Sequence, residues 1–247
     1  MYIFYTPNIR TTQELSEEEA KHCVKVLRMT EGDELLLTDG LGYFYKAIIT
    51  QAHPKHCLFD ILEEIPTPLP WHPHIHIAVA PTKNMDRMEW FAEKATEIGI
   101  NEISFLRCRY SERKEIKNPR IEKILVSAMK QSQKAVLPVL NEMQNFEQFI
   151  KQPHEGQKFI AHCHPGDKPC LTDIYKPGDS VTLLIGPEGD FSENEVAMAE
   201  SNGFISISLS DSRLRTETAA LVACHTIHIS IPSNFTRNLI DHESPKS

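Results

Sequence analysis

VTLLIGPEGDFSENEV, residues 181–196, carries a strand, a glycine–proline loop and a helix start in one short stretch. Residues 181–185 form an unbroken apolar run bounded by turn residues, which reads as a strand. Ser192-x-x-Glu195 is a capping box, so a helix opens there, and Asn202-Gly203 closes it. The same alternation extends in both directions. Upstream, strands are expected at 75–80, 103–106 and 158–162. A helix is expected at 86–98 with Gly99 as its stop, and another runs from Asn118-Pro119 to about Ala135. Downstream come a strand at 205–209 and a helix at 216–229. This order implies an α/β fold with a largely parallel sheet. The last helix is apolar nearly all round at Ala219 to Cys224, which suggests burial on both sides, including at a subunit contact.

The first seventy residues read differently. Ser16-Glu17-Glu18-Glu19 has the capping-box spacing and opens a short helix with Ala20, Cys23, Val24 and Leu27 on one face. Strands are expected at 35–37, 43–50 and 57–62, with Asp39-Gly40-Leu41-Gly42 as the turn between the first two. Short strands around one helix suggest a small β-barrel-like domain. Pro66, Pro68, Pro70 and Pro73 then stiffen the chain as a linker. The expected division is a domain at 1–70, a second at 71–232 and a polar tail at 233–247.

Composition excludes several classes. In 247 residues, 40% are hydrophobic and 24% charged, so collagen-like, low-complexity and disordered chains are ruled out. No apolar run approaches the ~20 residues that cross a bilayer, and MYIFYTPNIR lacks a secretory layout, so a cytoplasmic protein is expected. The six cysteines contain no C-x-x-C pair, which fits free thiols in a reducing compartment. The net charge of −8 is unevenly spread. Residues 1–70 hold 6 basic and 11 acidic side chains, 83–134 hold 12 and 8, and 135–247 hold 8 and 15. The basic middle could face a polyanion, since local potential steers phosphates; on charge alone a solvated, salt-bridged helix face is the favoured reading.

Ligands of open α/β sheets sit at the carboxyl ends of strands. Three such ends carry unusual loops: His162-Cys163-His164-Pro165-Gly166, Gly186-Pro187-Glu188-Gly189-Asp190 and Ser210-Asp211-Ser212-Arg213-Leu214-Arg215-Thr216-Glu217. Glycines permit close approach of a ligand, although spacing alone fits a plain tight turn. The second loop is neither G-x-G-x-x-G nor a P-loop, so dinucleotide and NTP binding have no motif here. Arg213 or Arg215 could hold a phosphate or a base edge.

Together these segments resemble a known family. LLIGPEGDFSENEV (183–196) and SLSDSRLRTETAAL (208–221) look like the signature of the SPOUT-class 16S ribosomal RNA (uracil-N3)-methyltransferases. KNMDRMEWFAEKATEIGINEI (83–103), AMKQSQKAVLP (128–138) and HCVKVLRMTEGDELLLTDG (22–40) resemble further parts of that family in the same order. The resemblance implies a PUA-like RNA-binding β-barrel domain followed by a trefoil-knotted methyltransferase domain, a homodimer, and S-adenosylmethionine as cofactor. Carried over by position, the cofactor would meet His162, Ile185, Gly186, Pro187, Glu188, Gly189, Leu209, Ser210, Ser212, Leu214, Arg215 and Thr216. The substrate would be 16S rRNA in the small ribosomal subunit. Asp190 and Ser210 depart from the glycines the family often has there; a positive φ at Ser210 would cost about a kcal/mol or more.

Uridine N3 lies on the Watson–Crick edge and carries a proton, so the base must be unpaired, aligned and deprotonated. Arg215 is expected to stabilise the developing imidate, with Glu217 as proton acceptor and Asp211 behind it. Arg10, Lys21, Arg28, Lys83, Arg87 and Lys130 are expected on RNA. The same loops would also serve a related enzyme acting on a ribose 2′-hydroxyl or another base, and a degenerate site would leave a ribosome-assembly RNA-binding module. His72, His74 and His76 would share one strand face, but no carboxylate motif accompanies them, and no metal or membrane partner is expected. No G-x-S-x-G supports a hydrolase.

Overall fold

The structure, a computed structural model, describes residues 2–231; the expected tail at 233–247 lies outside the described residues. The chain divides into two compact units. One holds the described residues up to Leu69 together with Val126–Leu137, and the other Pro70–Leu125 and the described residues from Pro138 on.

In the first unit, strands β1 (Ile3–Tyr5), β2 (Glu34–Thr38), β3 (Tyr43–Gln51) and β4 (Leu58–Pro66) form a sheet in that order. β1 and β2 are parallel and the rest antiparallel. The backbone of residues 13–15 extends the edge, where Leu15 N–H donates to Cys57 O (2.9 Å) and Phe59 N–H to Gln13 O (3.1 Å). Helix α1 (Glu17–Lys21) passes into a π-helical turn at His22–Val26 and buries Ala20 and Cys23 against Phe4, Leu35, Leu37 and Phe59. Only half of the expected capping box forms. Ser16 Oγ accepts from Glu19 N–H, but the Glu19 carboxylate instead accepts from Tyr5 N–H (3.1 Å) and Lys130 Nζ (2.5 Å).

The second unit alternates as the pattern requires. Its elements are β5 (Ile75–Val79), α2 (Met85–Ile98), β6 (Glu102–Arg107), α3 (Asn118–Gln131), β7 (Val139–Leu140), β8 (Gln144–Asn145), α4 (Phe146–Ile150), β9 (Gln157–Ala161), α5 (Leu171–Ile174), β10 (Val181–Ile185), α6 (Glu193–Ser201), β11 (Ile205–Ile207) and α7 (Thr216–Ile229). The sheet order is β11-β9-β10-β5-β6-β7, with β8 also on β6, and every pairing is parallel. β5 and β10 are buried along their whole length, as central parallel strands must be. Phe146, Phe149, Phe191 and Phe204 fill one core layer around Ile160 and Leu184. The Ser192–Glu195 capping box is complete. α7 buries Ala220, Ala223, Cys224 and Ile227, while Leu221 and Val222 stay partly open and Ile229 is 65% exposed.

Two expectations change. α3 stops at Gln131 rather than near Ala135, because Gln133 turns to φ 55° and Ala135 O accepts from Gly42 N–H (2.8 Å). β11 ends at Ile207, so Ser208 and Leu209 belong to the loop.

Gly156 sets the start of β9. Its φ is +74°, and the neighbouring Gln157 N–H donates to Ser180 O at 2.8 Å, the first bond that aligns β9 with β10. A Cβ at 156 would collide with that same Ser180 carbonyl. Gly156→Ala is expected to destabilise the protein by at least about 2 kcal/mol, read as a lowered Tm and urea midpoint.

Candidate active site

β9, β10 and β5 end level with one another. Ala161 pairs with Ile185, Ile185 with Val79, and Ala161 also with Ile207 of β11. The loops that follow therefore leave the sheet at one height. They are tied together by polar contacts. The Asp190 carboxylate accepts from Cys163 N–H (2.7 Å) and from Phe191 N–H (2.8 Å). His164 Nε2 donates to Phe191 O at 2.7 Å. Ser208 exchanges backbone bonds of 2.9 Å with Pro169 and Leu171. Glu188 Oε1 accepts from Lys83 N–H at 2.9 Å, joining the loop after β5.

Asp190 holds φ 66°, a left-handed conformation for which aspartate is one of the better non-glycine residues. Its two side-chain bonds offset the strain. Ser210 is not left-handed, so serine there carries no backbone penalty. Glycine at 186 relieves crowding: a Cβ would stand a tight 3.1 Å from both the Phe191 ring and its backbone nitrogen.

These loops enclose a cavity of about 300 Å³. Of the residues expected on the cofactor, His162, Ile185, Gly186, Pro187, Glu188, Leu209, Ser210, Ser212, Leu214, Arg215 and Thr216 line it. Gly189 does not; it lies against Tyr110, whose Cβ would be 3.1 Å from an added methyl. Sequence reasoning missed Ala161, Cys163, Asp190, Ile207, Ser208, Arg213 and Ala219 as lining residues, and placed Arg87 on RNA rather than here. Half-buried His162 is pushed below its ordinary pKa by desolvation, with the Lys168 charge adding to it. Its Nδ1 accepts from His164 N–H (3.3 Å), so the neutral ring donates from Nε2 to Ser206 Oγ (3.0 Å), which donates on to Glu200 (2.6 Å).

Arg215 N-caps α7 through its carbonyl, which accepts from Ala219 N–H at 2.7 Å, and its side chain lines the exposed rim. Glu217 is placed otherwise than expected. It is buried and absent from the lining; Oε1 sits 3.7 Å from Arg87 Nε, and Oε2 has no partner among the described residues. Asp211 is exposed and outside the lining.

The expected RNA contacts divide. Lys21, Arg28 and Lys83 are exposed, and Arg28 holds φ 58°. Lys83 pairs with Glu112 at 3.1 Å. Arg10 lies over the Tyr43 ring (5.0 Å to its centroid) and 3.6 Å from Glu64. Lys130 is taken up by Glu19 inside the first unit, so its ammonium has a structural partner already.

Residues 69–228 match the model of an RNA methyltransferase domain, and residues 15–62 that of an RNA methyltransferase PUA domain. The chain belongs to this RNA methyltransferase family. Among relatives of this methyltransferase, the ribosomal RNA small subunit methyltransferase E of Buchnera aphidicola is 30% identical over 219 residues, covering 85% of this chain and 84% of the relative. The crystal structure of a "probable rRNA-methyltransferase" from Porphyromonas gingivalis superposes with a TM-score of 0.89 at 44% identity, over 93% of this chain and 98% of that one. A ribosomal RNA small subunit methyltransferase E from Neisseria gonorrhoeae, crystallised bound to S-adenosyl methionine, superposes with a TM-score of 0.82 at 27% identity, over 94% and 98%.

A second polar cavity of about 370 Å³ opens at the other edge of the methyltransferase sheet, around the amino ends of β5, β6 and β10. His74 and His76 do share a face there. Glu102 lies 2.7 Å from His74 Nε2 and 3.6 Å from His76 Nε2, and accepts from Asn141 Nδ2 (2.5 Å). Among the described residues no group of three or more His, Cys, Asp or Glu is arranged to hold a metal. Burial pushes His76 down to about 4, whereas the His74 hydrogen bond holds Glu102 down at about 2. Above pH 6.5 His76 is neutral folded or unfolded. Between 6.5 and about 4 only the unfolded chain takes up that proton, so stability falls with falling pH, by about 3 kcal/mol in all for this group. The Glu102 contribution is lost only below about 4.5, in the range approaching 2. Urea unfolding is expected to show a stability loss from pH 6.5 to 4.5 that shrinks in His76→Gln.

Proposed function

We propose that the protein is an S-adenosylmethionine-dependent methyltransferase that modifies N3 of a uridine in 16S rRNA of the small ribosomal subunit. The observation that carries this reading is the cavity built jointly by the loops after β9, β10 and β11, with Arg215 on its rim. The residues suit the cofactor. Ile185, Leu209 and Leu214 offer apolar walls, backbone groups around Gly186 and Ser210 can meet a base edge, and the Glu188 and Asp190 carboxylates favour a sulfonium nearby. Bound there, the cofactor supplies an electrophilic methyl group.

The chain's own residues do the rest. Arg215 presents a cation on the exposed side, where a carbonyl oxygen of the incoming base gains charge as N3 loses its proton. Arg87 adds a second cation to the wall, and the buried Glu217 carboxylate holds it in place. Glu217 thus acts through Arg87 as a positioning residue, and the imide proton leaves to water at the rim formed by Ser212, Arg213 and Arg215. The loops after β9 and β10, laced by Asp190, are read as part of the family's trefoil knot. The apolar side chains that α7 leaves open, with Trp90 of α2 43% exposed, support a homodimer.

Transfer of labelled methyl to undermethylated small subunits, compared with naked 16S RNA, tests the activity. Assembled subunits are expected to be preferred, because a chain of net charge −8 gains little from unstructured polyanion alone. Mass analysis of the product nucleoside separates N3 from ribose or other base methylation, and absence of any S-adenosylmethionine heat in calorimetry would leave only a binding module. Arg215→Ala is expected to lower turnover about a hundredfold. Glu217→Gln is expected to slow it less and to keep the shape of the pH–rate profile; loss of one limb would make Glu217 the proton acceptor. Light scattering is expected to give twice the 28.2 kDa chain mass.

A further inference from the structure

Beside the cavity, the segment after β6 presents an aromatic ring that nothing in the catalytic scheme uses. Tyr110 is 51% exposed, so its ring face is open to a partner. It does not sit on a loose loop. Cys108 N–H donates to Ser111 Oγ (3.0 Å) and Ser111 N–H to Cys108 O (3.2 Å), closing a tight turn around it. The neighbouring Arg109 N–H donates to the buried carboxylate of Glu195 at 2.8 Å, the same side chain that completes the α6 capping box. On its inner side Tyr110 packs on Gly189, between the cavity residues Glu188 and Asp190, so closely that an added Cβ there would stand 3.1 Å from the Tyr110 Cβ.

Residues 107–117 hold five basic and two acidic side chains, a net positive segment, and one of the two, Glu112, is paired with Lys83 at 3.1 Å. Arg107, Arg109, Lys114 and Lys117 are exposed, and none forms an ion pair with a described residue. Arg113 donates to the carbonyls of Thr82 (3.3 Å) and Lys83 (2.6 Å), which fastens the segment to the loop after β5. A rigidly mounted, open aromatic face within a field of arginine and lysine is the chemistry that holds a single-stranded polynucleotide, with the ring stacking on a base and the cations on its phosphates.

We propose that Tyr110 is a stacking platform for an unpaired RNA base next to the nucleotide being methylated, with Arg109 and Lys114 on the adjoining phosphates. This rests on the reading of the cavity as an RNA methyltransferase site. The platform holds the strand after the target base has left its stack, so it acts on substrate affinity. Ring stacking needs the aromatic face and not the hydroxyl. Tyr110→Ala keeps the Cβ that meets Gly189 while removing the ring, and Tyr110→Phe keeps both Cβ and ring.

The test uses the full chain and two readouts. In the first, binding of a fluorescent ten-nucleotide oligouridylate is followed by anisotropy at fixed low salt, where the local charge of residues 107–117 acts on the strand in spite of the overall negative charge. Tyr110→Ala is expected to weaken it about five- to a hundredfold, the range seen when a stacking ring is removed, and Tyr110→Phe to stay within about twofold. In the second, the KM for undermethylated small subunits is expected to rise in Tyr110→Ala and to return in Tyr110→Phe, with calorimetric affinity for S-adenosylmethionine held in both. Wild-type oligouridylate affinity in Tyr110→Ala, failure of Tyr110→Phe to rescue, or no oligouridylate binding by the wild type would each overturn the platform. Failure of the enzyme reading shows separately, as absent methyl transfer by the wild type.

Discussion

The parallel register of four strands is the constraint on which the site depends. Val79, Ile185, Ala161 and Ile207 stand in one row across β5, β10, β9 and β11, so four chain segments leave the sheet side by side. Backbone pairing fixes that row, and Val79, Ile185 and Ile207 are buried in it, so a slip by one residue would invert the faces of a central strand. The loops then have little freedom. Their spacing brings Asp190 within reach of Cys163 N–H and brings Glu188 within reach of Lys83 N–H. The cavity is what remains between them.

Much of this row is legible in the sequence because its causes are local. Val181–Ile185 and Thr216–Ile229 have the expected bounds, and Gly99 ends α2 at φ 134°. Apolar runs, caps and glycine stops act over a few residues, and the resemblance to a family then identifies which loops meet. What was illegible acts over distance. Arg87 reaches the cavity from α2, and its partner Glu217 is 130 positions away. Lys130 looked like a free surface cation until Glu19, on α1, took it. β1, β7, β8, α4 and α5 have five residues or fewer and, unlike the equally short β10, are not marked by an apolar run between turn residues. Tyr110 carried no signal at all, since exposure of an aromatic is set by the neighbours that fail to cover it.

The two edges of the large sheet are treated in opposite ways. At the carboxyl edge, the open cations Arg213 and Arg215 and the strained Asp190 are kept near solvent, where a ligand can use them. At the amino edge, Glu102 is bonded to His74 and Asn141 while His76 turns to Ser104 (2.8 Å). Polar side chains satisfied by one another in this way add rigidity and offer little to a ligand. The division of labour follows from parallel strands, whose crossover helices leave only the carboxyl-end loops free to vary.

The return of residues 126–137 to the first unit has a practical side. Gly40 and Gly42 form a turn whose backbone is completed by Leu137 N–H (2.8 Å) and Ala135 O (2.8 Å), and Thr38 Oγ1 also reaches Ala135 O (3.4 Å). A protein cut after the proline-rich linker would strip those partners from the β2–β3 hairpin and unpair Glu19 from Lys130. The amino-terminal part is therefore not a detachable module: gene fusions, truncations and swaps between related enzymes would have to carry a distant twelve-residue insert with it.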